Sequence, residues 1–231
     1  MSMCTKLVLS LALLGPCLPL SRAQEAIEQA NDIVYREVDG RELKLDLARP
    51  SGDGPFPGLV AIHGGGWRAG DKSAMRPLLA EAARHGYVAI SPQYRFAPNS
   101  PFPAQIHDVK AAVRWLKGHA KEYHLDADHI GAVGFSAGGH LSLMLGVTDR
   151  DDGLEGEASE DAPDTRIQAV VNYFGPSNLG AENIPDPVKP MLKDLLGGAP
   201  AEKPELTKQA SPLTFVTSDD PPTLTFQGTK D

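Results

Sequence analysis

A serine flanked by glycines is the residue of this sequence with the clearest potential for chemistry. Residues 134–138, Gly-Phe-Ser-Ala-Gly, match the pattern G-x-S-x-G with Ser136 at its centre. The apolar run 130–135 before it predicts a strand, and the small apolar residues 137–146 after it predict a helix. Glycines relieve the crowding of such a sharp turn and expose the hydroxyl, which predicts a nucleophile. The alternative is a serine in an ordinary tight strand-to-helix turn.

A second glycine-rich segment could stabilise the negative charge that a serine nucleophile generates. The sequence His-Gly-Gly-Gly-Trp occupies residues 63–67, directly after an apolar run that ends at Ile62. Without side chains, backbone N–H groups can approach a tetrahedral oxyanion closely. We therefore predict that the N–H groups of Gly65, Gly66 and Ala137 form an oxyanion hole. Trp67 is either a substitute donor or part of the acyl pocket, and a merely flexible glycine loop is the alternative.

The elements that must position these residues follow a regular alternation. Residues 33–47 alternate apolar and polar side chains around Asp39-Gly40, which predicts a hairpin. Short apolar runs beyond it predict buried strands at 59–62 and 87–90, and further strands at 130–135, 167–173 and 223–226. Helical spacing occurs at 77–85, 106–119 and 137–146. The alternation predicts an α/β fold, with a mostly parallel sheet and helices on both faces.

The serine turn and the glycine triplet resemble those of the α/β-hydrolase esterases of the hormone-sensitive-lipase and carboxylesterase kind. The similarity is greater still to the branch of secreted acetyl and feruloyl esterases. It covers residues 43–231 and also rests on the segments 91–95, 102–104, 108–116, 131–140 and 226–231. The resemblance implies the α/β-hydrolase fold and a Ser-Asp-His acyl-enzyme mechanism. In that family the acid stands three residues after a glycine that follows the penultimate strand, so the resemblance implies Asp231, after Gly228, as the acid.

The catalytic histidine is the member of this triad that the sequence does not supply in the expected place. The family order is serine, acid, histidine, yet all seven histidines precede Asp231. His63 is interpreted as a brace for the glycine loop, and His140 as a residue below the serine turn. We therefore expect a C-terminally truncated α/β-hydrolase domain over residues 24–231, missing the last strand and helix. Its histidine would lie beyond the given chain, leaving the fragment nearly inactive.

The N-terminal residues predict a targeting segment. The apolar run 7–14 and the small residues at 21 and 23 predict a signal peptide over residues 1–23. A bilayer-spanning helix needs about 20 apolar residues, so no membrane span is expected and the protein is predicted to be secreted or periplasmic. Alternatives are a buried N-terminal helix and, less favoured, a lipid anchor on Cys17. Both cysteines, Cys4 and Cys17, lie in this segment, so we predict no disulfide and no cysteine-bound zinc.

Composition restricts the partners. The chain has 231 residues, of which 41% are hydrophobic and 23% charged, which is typical of a single globular domain. Its formal net charge of −8 argues against a nucleic-acid partner. No metal and no organic cofactor is implied. Residues 149–166 hold eight acidic residues and two arginines and are predicted to form a solvated loop, and the Arg95–Asp108 combination is interpreted as a structural ion pair.

These patterns favour a hydrolase of carboxylic esters. The family resemblance and the predicted signal peptide imply short-chain or aromatic acyl groups on a small-molecule or carbohydrate ester. A serine peptidase of the prolyl-oligopeptidase type is one alternative, although the glycine triplet favours an esterase and the chain is too short for a propeller domain. A non-catalytic α/β-hydrolase domain that binds a ligand is the other, supported by the missing histidine.

Overall fold

The computed structural model describes residues 26–229. The predicted signal peptide at 1–23, with Cys4 and Cys17, lies outside the described residues, as does Asp231. The expectations for these residues therefore stay predictions.

The described residues form a seven-stranded mixed sheet. Its strands, in chain order, are β1 (Ile27–Val38), β2 (Arg41–Pro50), β3 (Phe56–Ile62), β4 (Val88–Pro92), β5 (Leu125–Phe135), β6 (Ala169–Tyr173) and β7 (Thr223–Phe226). Their spatial order is β1-β2-β4-β3-β5-β6-β7. The two pairs β1–β2 and β2–β4 are antiparallel, and every other neighbouring pair is parallel. The parallel strands β3 to β7 therefore end at one edge of the sheet.

The predicted hairpin is confirmed and is longer than the alternation indicated. Asp39 and Gly40 both have positive φ, 52° and 69°, which is the backbone of the two-residue turn that matches the twist of paired strands. Strand β5 also begins earlier than predicted, at Leu125, because Phe56 and Pro57 of β3 pair with Leu125 and Asp126.

Helices cover both faces of the sheet, as predicted. They are α1 (Arg76–Arg84), α2 (Ala104–Gly118), α3 (Ala120–Tyr123), α4 (Ala137–Val147), α5 (Lys189–Leu196) and α6 (Pro204–Gln209). Short 3-10 helices occupy Lys72–Met75, Arg150–Asp152, Pro200–Glu202 and Pro212–Thr214. The apolar side chains of α1 pack with one face of the sheet, and those of α2, α4 and α5 belong to the larger core on the other. Both cores exclude water from the central strands and hold their ends in place.

Two arginines, one in β1 and one in the segment after β4, form ion pairs with a carboxylate of α2. The Asp108 side chain is fully buried and accepts hydrogen bonds from Arg36 Nη1 at 2.7 Å and Arg95 Nε at 2.9 Å. Burial raises the pKa of Asp108, while the two guanidinium groups oppose that rise. The interpretation of Arg95 and Asp108 as an ion pair is thus confirmed, with Arg36 as an additional partner.

The prediction for residues 149–166 is correct only in part. The segment forms no helix beyond one 3-10 turn and no strand, and most of its acidic residues are exposed or partly exposed. Leu154, however, is fully buried, and Glu155 pairs with Arg114 at 2.8 Å and with the fully buried Lys110 at 2.5 Å. The loop is packed onto α2 because a buried ammonium group needs a nearby opposite charge.

Candidate active site

Ser136 lies in a strained turn between β5 and α4. Its backbone has φ 53° and ψ −119°, a conformation that non-glycine residues rarely adopt. A Cβ atom at Gly134 would lie 2.1 Å from the oxygen of Gly138, so a side chain at Gly134 would not fit within the turn. The serine is partly exposed, whereas Ala137 and Gly138 are buried. The structure therefore presents the hydroxyl at the edge where the parallel strands end.

The glycine loop after β3 packs directly against this turn. A Cβ atom at Gly64 would lie 2.8 Å from the oxygen of Phe135 and 3.5 Å from Ser136 Cβ. A Cβ atom at Gly138 would lie 2.1 Å from the oxygen of Ile62. Side chains at either position would push the two segments apart. Glycine at both positions therefore allows the glycine loop and the serine turn to pack directly against each other.

The backbone of the glycine loop leaves N–H groups available. Gly65 and Gly66 have φ values of 126° and 60°, which favour glycine. The N–H groups of Arg68 and Ala69 both donate to Gly65 O at 3.1 Å and hold the loop in shape. Within residues 26–229, the N–H groups of Gly65, Gly66 and Ala137 donate to no backbone oxygen. Ala137 is the first residue of α4, where the N–H has no partner inside the helix.

His63 is a buried brace of this loop. Its side chain is 2% exposed, its ring stacks on Tyr94 at 4.5 Å between centroids, and its Nδ1–H donates to Gly64 O at 2.8 Å. Tyr94 Oη donates to His63 O at 3.0 Å. Burial lowers the pKa of His63, so the ring is neutral near pH 7. These contacts agree with its interpretation as a structural residue.

Trp67 and His140 connect the glycine loop to α4. The Trp67 indole is 2% exposed and donates from Nε1 to His140 Nδ1 at 3.1 Å. His140 Nε2–H donates in turn to Ala210 O at 2.7 Å, and burial lowers the pKa of His140 to about 4. The indole of Trp67 is thus held in the interior, against His140. Its predicted contact with substrate stays a prediction.

The remaining histidines are engaged away from the serine. Burial, followed by the charges of Arg36 and Arg95, lowers the pKa of His107 to about 4. The other four use Nδ1 for local contacts: His85 with Glu81 O, His119 with Trp115 O, His124 with Asp53 O, and His129 with Asp126 Oδ2. All seven histidines belong to the described part of the chain, and none of their hydrogen bonds there reaches Ser136. The structure thus brings the glycine loop and the serine turn together at Gly64 and Gly138, without a histidine in hydrogen-bond contact with Ser136; the oxyanion-hole roles of Gly65, Gly66 and Ala137 stay a prediction.

Sequence reasoning missed one neighbour of this site. A Cβ atom at Gly66 would lie 2.6 Å from Met191 Sδ, so the thioether covers this glycine. Met191 lies on α5, in a stretch between β6 and β7 for which the sequence predicted no element. No motif marks it, because its position depends on how α5 packs against a loop that is distant along the chain.

Between residues 26 and 229, no helix is both long and apolar enough to cross a membrane. Over the same range, no group of three or more histidine, cysteine, aspartate or glutamate side chains is placed to hold a metal ion.

The strand order, the serine turn and the adjoining glycine loop define an α/β-hydrolase fold. Solved structures support this class. The chain has a TM-score of 0.75 and 31% identity to a bifunctional GH43-CE protein of Bacteroides eggerthii, covering 87% of this chain and 28% of that one. With a truncated form of a carbohydrate esterase from gut microbiota the TM-score is 0.70 at 28% identity, over 89% of this chain and 78% of the other.

Residues 45–231 match the family model described as BD-FAE, and the chain belongs to this family. Among curated proteins, the probable carboxylic ester hydrolase LipM of Mycobacterium tuberculosis is 35% identical over 209 residues, which make up 87% of this chain and 47% of LipM. The chain spans about half the length of LipM and of the esterase LipQ of the same organism.

Proposed function

We propose that the protein hydrolyses carboxylic esters by acyl transfer through Ser136. The observation that carries the proposal is the contact between two separate motifs at one edge of the sheet. A partly exposed serine with φ 53° lies against a glycine loop, and the N–H groups of Gly65, Gly66 and Ala137 have no backbone partner among the described residues. A nucleophile beside unpaired donors is what acyl transfer requires.

The reaction would proceed in two steps. Ser136 Oγ attacks the ester carbonyl carbon and its proton passes to a base, while the carbonyl oxygen becomes an oxyanion bound by the three N–H groups. The intermediate collapses, the bond to the alcohol oxygen breaks, and the base returns the proton to that oxygen. Water then attacks the acyl-enzyme in the same way and releases the carboxylic acid. The N-terminus of α4 adds a favourable dipole beside the developing charge.

The proposal assigns the acid of the triad to Asp231 and the base to a histidine outside the described residues. Two observations support this assignment. None of the hydrogen bonds made by the histidines of residues 26–229 reaches Ser136, and the chain matches less than half of LipM. An Asp231→Asn variant of the full-length protein should lose most of its turnover, because the carboxylate would orient the imidazole and stabilise its charged form.

The proposed substrates are esters of short or aromatic acyl groups, including acyl groups carried by carbohydrate. Support comes from the likeness to a carbohydrate esterase and from the sequence resemblance to acetyl and feruloyl esterases. We also propose that the protein is exported, because residues 1–23 have the pattern of a signal peptide. Mass spectrometry of the mature protein should find Gln24 as its first residue, and retention of residues 1–23 would contradict export by this route.

The central test is turnover of p-nitrophenyl acetate by the full-length protein and its Ser136→Ala variant. We expect the variant to lose a factor of about 10⁴ or more in kcat, as is usual when a serine nucleophile is removed. Ser159→Ala, in an exposed loop, is the matched control and should turn over normally. Equal activity of the Ser136 variant and the control would refute the assignment.

A further inference from the structure

The thioether of Met191 is the side chain that lies directly over the glycine loop. A Cβ atom at Gly66 would meet Met191 Sδ at 2.6 Å, Cγ at 3.3 Å and Cε at 3.6 Å. Gly66 is buried and Met191 is partly exposed. A ligand whose oxygen is bound by the Gly66 N–H therefore has Met191 as a neighbour.

Helix α5 is fixed to the loop by more than this one contact. Arg68, two residues after Gly66, pairs with Asp194 at 2.9 Å. Met191 and Asp194 are three residues apart and so share one face of α5. The adjacent face buries Leu192 and Leu195 in the larger core, against which Met191 also packs. The position of Met191 relative to the glycine loop is thus set by the core and by the ion pair.

The strand order indicates which part of an ester would meet Met191. The glycine loop follows β3, Ser136 follows β5, and the proposed acid follows β7, so β3 and β7 flank β5 on opposite sides. The base held by that acid must reach the alcohol oxygen to protonate it. The alcohol therefore lies on the β7 side of the serine, which leaves the acyl group, bonded to the same carbon as the oxyanion at Gly66, for the space on the β3 side.

We propose that Met191 forms a wall of the acyl-binding site and limits the length of the acyl group. This inference rests on the proposed esterase function. Methionine suits such a wall because its unbranched, polarizable side chain adapts to apolar ligands. Shortening it opens space beside Gly66 for additional methylene groups, while a larger side chain closes that space.

The test compares kcat/KM of the full-length protein on p-nitrophenyl acetate, butyrate and octanoate. In Met191→Ala we expect the octanoate-to-acetate ratio to rise by about tenfold, the scale on which a pocket discriminates methylene groups. Met191→Phe should lower the same ratio, and Met191→Leu, of similar volume, should keep it within about twofold. Lys193→Ala, on the exposed side of the same helix, is the matched control and should not change it. Thermal melts of each variant check that the fold is retained.

Three outcomes would overturn the inference. The first is an equal change of turnover for all three acyl lengths, which would make Met191 merely structural. The second is an unchanged ratio in both the alanine and the phenylalanine variant, while turnover still depends on Ser136; the esterase function would then stand and the acyl wall would not. The third is an effect of Met191→Ala on kcat/KM that depends on the size of the alcohol in a series of acetate esters, which would place the alcohol beside Met191. A full-length protein that hydrolyses no ester would refute the proposed function together with this inference.

Discussion

The hydrogen bond between Trp67 and His140 predicts a loss of stability in mildly acidic solution. Trp67 Nε1–H donates to His140 Nδ1, and His140 Nε2–H donates to Ala210 O. Protonation of Nδ1 would place two N–H donors against each other and would leave a charge in a fully buried position. Acid should therefore weaken the contact that joins the glycine loop to the helix behind the serine.

The magnitude follows from the pKa of His140. Burial lowers it from 6.5 to about 4, and each pKa unit corresponds to about 1.4 kcal/mol. Above pH 6.5 neither the folded nor the unfolded chain binds this proton, and the full stability is present. Between pH 6.5 and about 4 the unfolded chain binds it first, so the free energy of unfolding falls by about 1.4 kcal/mol per pH unit and by about 3 kcal/mol in all.

The assay is urea denaturation of the wild type and His140→Gln at several values between about pH 7.5 and about pH 4.5. The free energy of unfolding should depend less steeply on pH in the variant, by about 1.4 kcal/mol per unit. The slope is the informative quantity, because loss of the two hydrogen bonds lowers stability at every pH. His107, whose pKa is also lowered to about 4, contributes equally to both proteins. His85→Gln, which removes a largely exposed imidazole, is the matched control.

Equal slopes for the wild type and His140→Gln would refute the reasoning, whatever their absolute stabilities. The same flattening in His85→Gln would also refute it, because a general effect of removing one histidine would then explain the result. A further check is the near-UV circular dichroism of the folded wild type, which should stay constant below pH 6.5 and change only as the pH approaches about 4, where the folded chain binds this proton.

Two packing predictions accompany this one. Gly138→Ala should destabilise the fold by about 3 kcal/mol, because its Cβ atom would lie 2.1 Å from Ile62 O; Gly118→Ala, with no atom within 4 Å, should cost less than about 0.5 kcal/mol, as surface substitutions do. Equal urea midpoints for these two variants would contradict the close packing of the serine turn against the glycine loop. Glu155→Gln should cost about 3 to 5 kcal/mol, because the fully buried Lys110 would lose the carboxylate that opposes the lowering of its pKa by burial. The exposed Glu157→Gln is its control, and an equally small loss in both would show that the loop is not anchored by this pair.

The sequence was sufficient for the parts of the fold that local pattern determines. The turn at Asp39-Gly40, the buried strands β3 and β4 and the helix after Ser136 each follow from apolar spacing and from glycine at the positions that need it. Strand β7, in contrast, is exposed along its length. The mutual contact of the two glycine motifs could also be anticipated, because both follow parallel strands, whose ends meet at one edge. Gly64 and Gly138 then fill the narrow space between the loops.

The parts that could not be predicted depend on partners distant in sequence. The acidic composition of 149–166 predicted a solvated loop, yet Glu155 forms an ion pair with the buried Lys110. The burial of Lys110 depends on how α2 packs and not on its own residue type. Helix α5 lacked a prediction for a related reason. Its buried leucines give it an apolar face, but the contact that matters, Met191 on Gly66, is made by the adjacent face.

Trp67 illustrates why a motif can identify a site and still leave its side chains unassigned. An aromatic residue after three glycines fits either a substrate pocket or a structural anchor, and the local sequence is the same in both cases. In the structure His140 accepts from the indole at 3.1 Å and itself donates to Ala210 O, while a contact of Trp67 with substrate stays a prediction. With its indole anchored in the interior, Trp67 holds the glycine loop on α4. The surface beside Gly66 is then formed by Met191, so the acyl preference of this protein should depend on α5, outside both motifs.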